Sequence, residues 1–169
     1  MHCGIRPAIG RNIGLLAEST FGCWPIGVAF SRRVLPYYAL RAKVLPRIAE
    51  LAQQKGRAAR MWSAGCASGE EPYTLKILWD LEVARPYRGG VALSIIATDA
   101  DGAMLARAEK ACFTVGRLRE LPPPLVNQAF DHEGSLYCLK RQYREGIAFL
   151  HQDLRRDAPP GPFDLILCR

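Results

Sequence analysis

Histidine is scarce in this sequence: His2, His132 and His151 stand far from one another, so a metal centre would have to be assembled with no local ligand spacing. The six cysteines, Cys3, Cys23, Cys66, Cys112, Cys138 and Cys168, contain no C-x-x-C pair. Neither a zinc module nor a disulfide framework is indicated, and the expectation is reduced thiols, no metal and a cytoplasmic location. Long hydrophobic runs are missing too. The longest, Phe21 to Phe30, contains Pro25 and stops at Arg32, far short of a membrane span. It also makes a poor signal peptide, because Glu18 precedes it and no small-residue cleavage site follows. There is no internal repeat and no low-complexity tract.

What is present is the composition of a soluble globular domain. Of 169 residues, 49% are hydrophobic and 23% charged, and the 15 glycines and 12 prolines follow no period, which excludes disorder and a collagen-like fibre. The length is that of one domain with one core. Charge is uneven along it. Residues 1–49 hold seven basic side chains (Arg6, Arg11, Arg32, Arg33, Arg41, Lys43, Arg47) against Glu18 alone, while the other 120 residues carry sixteen against fifteen. A basic end on a balanced body fits an acidic partner, either nucleic acid or a Glu/Asp-rich protein surface, and equally a solvated helix face.

Residues 1–36 lack sustained periodicity and read as an irregular lead-in; 37–169 read as the folded domain. From Tyr37 the pattern is helical, with Leu40, Val44, Ile48 and Ala52 four apart, Pro46 placed to kink it and Gly56 to stop it. Met61 to Ala64 is a short strand ending in Gly65-Cys66-Ala67-Ser68-Gly69, with Pro72 tolerated in the first turn of a helix that runs to about Ala84. Val91 to Ala97 is a nearly continuous apolar strand ending in Thr98-Asp99-Ala100-Asp101, and Gly102 to Ala111 is again helical. This alternation predicts a doubly wound α/β sheet. Further on, Pro122-Pro123-Pro124 starts a short helix through about Phe130. Leu136–Lys140 and Ile147–Leu150 read as strands around the turn-like Glu145-Gly146, a small antiparallel hairpin insertion. A Pro/Gly loop, 157–162, leads into a last strand, Phe163 to Cys168.

In open α/β sheets the ligand lies beyond the carboxyl ends of the strands, which singles out Gly65 to Glu71, Asp99, Asp153 and Arg169. The turn spacing is G-x-x-x-G, not the dinucleotide pattern. Glu70 and Glu71 stand at the helix N-terminus, where a pyrophosphate would otherwise sit, and would repel it. S-adenosylmethionine carries no phosphate and has a sulfonium and an ammonium, so an acidic turn suits it. Taken alone, the two glutamates are equally an ordinary charged first turn. An acidic residue ending the second strand, Asp99, is placed to grip ribose hydroxyls, with Asp101 left to cap the next helix.

Four strings carry a wider resemblance: Trp62-Ser63-Ala64-Gly65-Cys66-Ala67-Ser68-Gly69-Glu70-Glu71-Pro72-Tyr73-Thr74-Leu75, Ala97-Thr98-Asp99, Asp153-Leu154, and Gly161-Pro162-Phe163-Asp164-Leu165-Ile166-Leu167-Cys168-Arg169. In this order they resemble the chemotaxis-receptor glutamate methyltransferases, over about residues 30–169. The resemblance implies a Rossmann-like S-adenosylmethionine-dependent fold, methylation of glutamate side chains, and an acidic cytoplasmic segment of bacterial chemoreceptors as partner, with no membrane insertion. It places Ala64 and Gly65 at the cofactor turn, Glu71 on the methionine moiety, Asp99 on the ribose, Asp153 and Leu154 beside the adenine, and Cys168 and Arg169 at the end of the fourth strand. Arg32, in Phe30-Ser31-Arg32-Arg33, matches an arginine that approaches methyl donor and substrate.

Three departures stand out. Ile26 and Val28 occupy positions where the family has polar residues on the cofactor. The lead-in is too short for the family's helical N-terminal domain. The Asn and Tyr that follow the family's Cys-Arg are not reached. The sheet is therefore expected to be incomplete, and methyl transfer by this chain to be weak or absent. A non-catalytic cofactor-binding remnant stays open as an alternative. A nucleic-acid methyltransferase is a second one, less favoured because Leu167-Cys168-Arg169 lacks the Asn/Asp-Pro-Pro-aromatic motif and no basic stripe is interleaved with aromatics.

Overall fold

The computed structural model describes residues 39–87, 90–119 and 121–168. The lead-in expected over 1–36, with Ile26, Val28 and Arg32, lies outside them, as does Arg169. The described chain enters through a π-helical turn, Leu40–Val44, that runs into helix α1, Leu45–Gln54. Pro46 has no N–H to return along the helix, and the Leu45 amide reaches back to Leu40 O in a wider i to i−5 bond. That wide turn rotates the apolar stripe away from the expected one. Leu40 and Val44 are only half-buried, and Leu45 and Ala49 join Ile48 and Ala52 in the core.

Strand β1, Ala59–Ala64, leads through the glycine turn into α2, Glu70–Leu78, which a second π-helical turn prolongs over Trp79–Val83. Then follow β2, Leu93–Asp99, and α3, Gly102–Lys110. The strands β1 and β2 pair in parallel from Ala59↔Leu93 to Ala64↔Thr98, so β2 starts and ends two residues later than its apolar run. An inserted section comprises β3 (Cys112–Thr114), α4 (Pro123–Ala129), β4 (Phe130–Glu133) and β5 (Leu136–Leu139). Finally β6, Ile147–His151, and β7, Leu165–Cys168, return to the main sheet.

That sheet is all parallel in the order β6-β2-β1-β7, the crossover arrangement of an α/β fold. One face carries Met61, Ile95, Phe149, Leu165 and Leu167 into the main core with Leu45, Ile48, Tyr73, Leu78 and Trp79. On the other face Leu150 and Ile166 are 43% and 41% exposed. Tyr73 locks α2 to its neighbours. Its hydroxyl donates to Ala108 O at 2.8 Å, its ring meets Phe113 and Phe149 at centroid separations of 6.1 and 5.6 Å, and burial pushes its ionisation up to about 12.

The insertion corrects two expectations. The antiparallel sheet has three strands, β3-β5-β4, and β5 pairs with β4, which begins at Phe130 where the expected helix ends and continues through Glu133, a segment with no expected strand. The strand β6 pairs with β2 instead. Gly146 explains the exchange: at φ +80 its carbonyl accepts from Ile95 N, and a Cβ there would stand 2.6 Å from Leu93 O. The apolar side of β6 is drawn onto Tyr73, where the hairpin reading left it without a core. The second correction concerns thiols. Cys112 and Cys138 are cross-strand partners in β3 and β5 and are joined by a disulfide. They lie 26 residues apart in sequence, so no local spacing announces them. Among the described residues no group of three or more His, Cys, Asp and Glu could hold a metal, and no helix is long and apolar enough to cross a membrane.

Candidate functional site at the strand ends

Parallel pairing puts four carboxyl ends in one row, because Asp99 is registered with His151, Ala64 with Thr98, and Ala64 with Cys168. The turn after β1 bends over the end of β2. The amides of Gly65 and Cys66 both donate to Thr98 O, at 2.8 and 2.9 Å. Gly69 closes the turn at φ +86, where a Cβ would meet that of Ala108 at 2.9 Å; only glycine lets α2 start so close to α3.

Asp99 is the hub. One carboxylate oxygen accepts from Ala67 N at 2.7 Å and the other from Asp101 N at 2.9 Å, so it ties the first turn to the second. It is not left clear of the protein, as the sequence argument had it, but a carboxylate has about four acceptor sites, and half-buried Asp99 has used two. Asp101 caps α3 as expected, accepting from Ala103 N and Met104 N at 2.8 and 3.2 Å.

The two glutamates part company, which corrects the argument from a doubly charged turn. Glu70 is only 3% exposed; its carboxylate accepts from Ser68 Oγ and pairs with Arg117 Nη1 at 2.9 Å. Its charge is compensated within the fold. Glu71 is half-buried and accepts from Ser63 Oγ of β1 at 2.6 Å. Neither Arg117 nor Ser63 was singled out from sequence; Arg117 lies 47 residues from Glu70, and no periodicity links them.

Beyond β6, Gln152 N donates to Asp99 O at 2.9 Å, which sets the segment carrying Asp153 and Leu154 beside the same row. The Asp153 carboxylate is engaged locally by Arg155, through its amide, Nε and Nη2, and this holds it down to about 2. Gln152 Oε1 is buried with no hydrogen-bond partner among the described residues. Cys168 ends β7 exposed; Cys66, by contrast, is 1% exposed. Burial, reinforced by Asp99, pushes the Cys66 thiol up to about 12, so it is no nucleophile near neutrality.

Asp99, Glu71 and the orphaned Gln152 oxygen are all acceptors, suited to a ligand that offers hydroxyl, amino or ammonium hydrogens. The Arg117 guanidinium beside this turn is already on Glu70. The residues present fit S-adenosylmethionine better than a phosphate-bearing nucleotide.

Of the basic helix, Arg41 pairs with Glu82 and Arg47 with Glu50, each at 2.5 Å, while Lys43 is exposed. Two of the three cations are thus partly answered by acids of this chain.

Residues 28–169 match the family model described as CheR methyltransferase, SAM binding domain. The chain is similar to a chemotaxis protein methyltransferase of Listeria innocua, 36% identical over 83% of this chain and 51% of that protein. It is 32% identical to chemotaxis protein methyltransferase 1 of Pseudomonas aeruginosa, over 82% of this chain and 51% of the relative. With the Salmonella typhimurium chemotaxis protein methyltransferase the identity is 28%, over 95% and 57%. The chain spans about half the length of the curated relatives it matches.

Proposed function

The chain belongs to the CheR methyltransferase family, matching its SAM-binding domain over residues 28–169, and from that premise we propose that it binds S-adenosyl-L-methionine at the strand-end row and serves methyl transfer to glutamate side chains of chemoreceptors. The observation that carries the reading is Asp99, a half-buried carboxylate fixed by the amides of Ala67 and Asp101 with acceptor capacity to spare. Asp99 would take the ribose hydroxyls and Glu71 the ammonium of the methionine moiety. Ala64 and Gly65 would let the ligand approach the backbone, Asp153 and Leu154 would border the adenine, and Cys168 and Arg169, at the end of the fourth strand, would belong to the same cofactor site.

When bound, the cofactor supplies an electrophilic methyl group on a sulfonium. A substrate carboxylate, ionised near neutral pH, is already a competent acceptor, so the site needs no general base. The chain's own task is orientation, together with neutralising the repulsion between an acidic substrate and an acidic turn. Arg32 is the side chain proposed for that neutralisation, and the acidic cytoplasmic segment of a chemoreceptor is the proposed partner. The basic helix at Arg41, Lys43 and Arg47 is the surface proposed to meet it.

Calorimetry with S-adenosylhomocysteine, followed by a radiolabelled methyl-transfer assay on a receptor fragment, tests the reading. Saturable binding with transfer that Arg32→Ala abolishes supports it in full. Binding without transfer leaves a cofactor-binding domain, and no binding rejects the site.

A further inference from the structure

We propose that Cys112 and Cys138 form a reversible thiol–disulfide exchange site on the solvent side of the small sheet, and that its state is felt at the strand-end turn; this second half rests on the cofactor reading above. The two residues are direct partners across β3 and β5, joined by a disulfide. Alternation along the strands puts Cys112, Cys138 and Asp131 on one face, and Phe113, Tyr137 and His132 on the other. The second face is the one turned to the core, where Phe113, Phe130 and Leu139 are buried. Around the disulfide, Thr114, Asp131 and Glu133 are exposed, and the cysteines themselves are half-buried. A bond placed there covers no core, and a thiolate reaches it without unfolding the chain.

The chemistry is ordinary exchange. A low-molecular-weight thiol attacks one sulfur as its thiolate. The Cys112–Cys138 bond breaks, a mixed disulfide forms, and the released protein thiolate takes a proton. A second thiol molecule, as its thiolate, attacks the small-molecule sulfur of that mixed disulfide, and the second protein sulfur leaves as a thiolate and takes a proton. Two protein thiols result, and two small thiols are oxidised to their disulfide.

The connection to the turn runs through β3. That strand is three residues long, lies at the edge of its sheet, and has β5 as its strand neighbour there. Three residues beyond its end, Arg117 holds Glu70 at the start of α2, while Phe113 within it abuts Tyr73 of the same helix. Opening the disulfide removes the covalent tie of so short a strand and leaves its ladder and the packing of Phe113 on Tyr73 and Phe130. The hold of Arg117 on the turn that ends at Gly69 loosens with it.

The full chain is treated with reduced glutathione, without denaturant, and alkylated. Peptide mass spectrometry should find Cys112 and Cys138 newly labelled, with exposed Cys168 labelled throughout, and oxidised glutathione should reverse the change. S-adenosylhomocysteine binding should weaken on reduction by about fivefold or more, the low end of ordinary coupling between sites. The Cys112→Ser/Cys138→Ser variant should bind as the reduced chain does and ignore the reductant. Free thiols at both positions before reduction, or resistance to glutathione until the chain is unfolded, overturns the exchange site. Equal affinity in the two states overturns the coupling. If neither state binds S-adenosylhomocysteine, it is the cofactor reading that has failed, and the labelling alone decides the exchange site.

Discussion

Asp164 grips Arg57 through two parallel hydrogen bonds, 2.7 and 2.6 Å long, and accepts a third from Arg60 N at 2.9 Å. This fork joins the approach to β1 to the start of β7 across 107 residues of sequence. The Arg57 guanidinium holds the Asp164 carboxyl below its ordinary value. A depressed folded-state value adds stability above the unfolded carboxylate pKa of about 3.9 and loses it as pH falls through the lowered one. Asp164→Ala should therefore cost about 1–2 kcal/mol at pH 7, a figure kept low because Arg57 is partly exposed. The difference from wild type should vanish in strong acid. Urea unfolding at pH 7 and below pH 3 checks both halves.

Arg117→Gln strands Glu70 at 3% exposure without its cation. Breaking a buried pair costs about 3–5 kcal/mol, but the Arg117 side chain is 41% exposed, so roughly 2 kcal/mol is expected here. Adding Glu70→Gln should recover most of it. Thermal unfolding of the single and double variants measures this, and a double variant no better than the single one would rule out the charge as the cause.

The two aspartates after β2 should separate cleanly. Asp99→Ala is expected to weaken S-adenosylhomocysteine binding by about 1–3 kcal/mol. Asp101→Ala should lower stability by about 1 kcal/mol, the usual worth of an N-cap, with affinity unchanged. Calorimetry and melting curves on both variants would show a crossed pattern if the roles were reversed.

Strand β7 pairs with β1 and ends the sheet order among the described residues, and Ile166 on it is 41% exposed. No proline or lysine interrupts Leu165–Cys168, so among the described residues β7 presents an unblunted edge. Sedimentation should show self-association that grows with concentration, and that Ile166→Lys suppresses.

The strand-end row was legible in the sequence because its signals are local. A short apolar run followed by Gly65 to Gly69, and another followed by Asp99 and Asp101, each carries its own turn chemistry. What stayed hidden depends on pairing between distant segments. Ile147 to His151 has the composition of either a hairpin strand or a buried parallel one, and the close approach of Gly146 to Leu93 settles it. Glu70 and Glu71 are adjacent and alike, yet helical geometry turns one toward Arg117 and the other toward Ser63. Cys112 and Cys138 meet because β5 folds back on β3, a register that no spacing rule supplies.

The disulfide also makes a closed covalent circle of the chain between Cys112 and Cys138. Exposed Arg119 lies within it, so a trypsin nick there cuts the backbone but not the molecule. The halves would migrate as one band on a non-reducing gel and part only when the thiols are restored. The insertion thus keeps its two flanks attached even after its backbone has been severed.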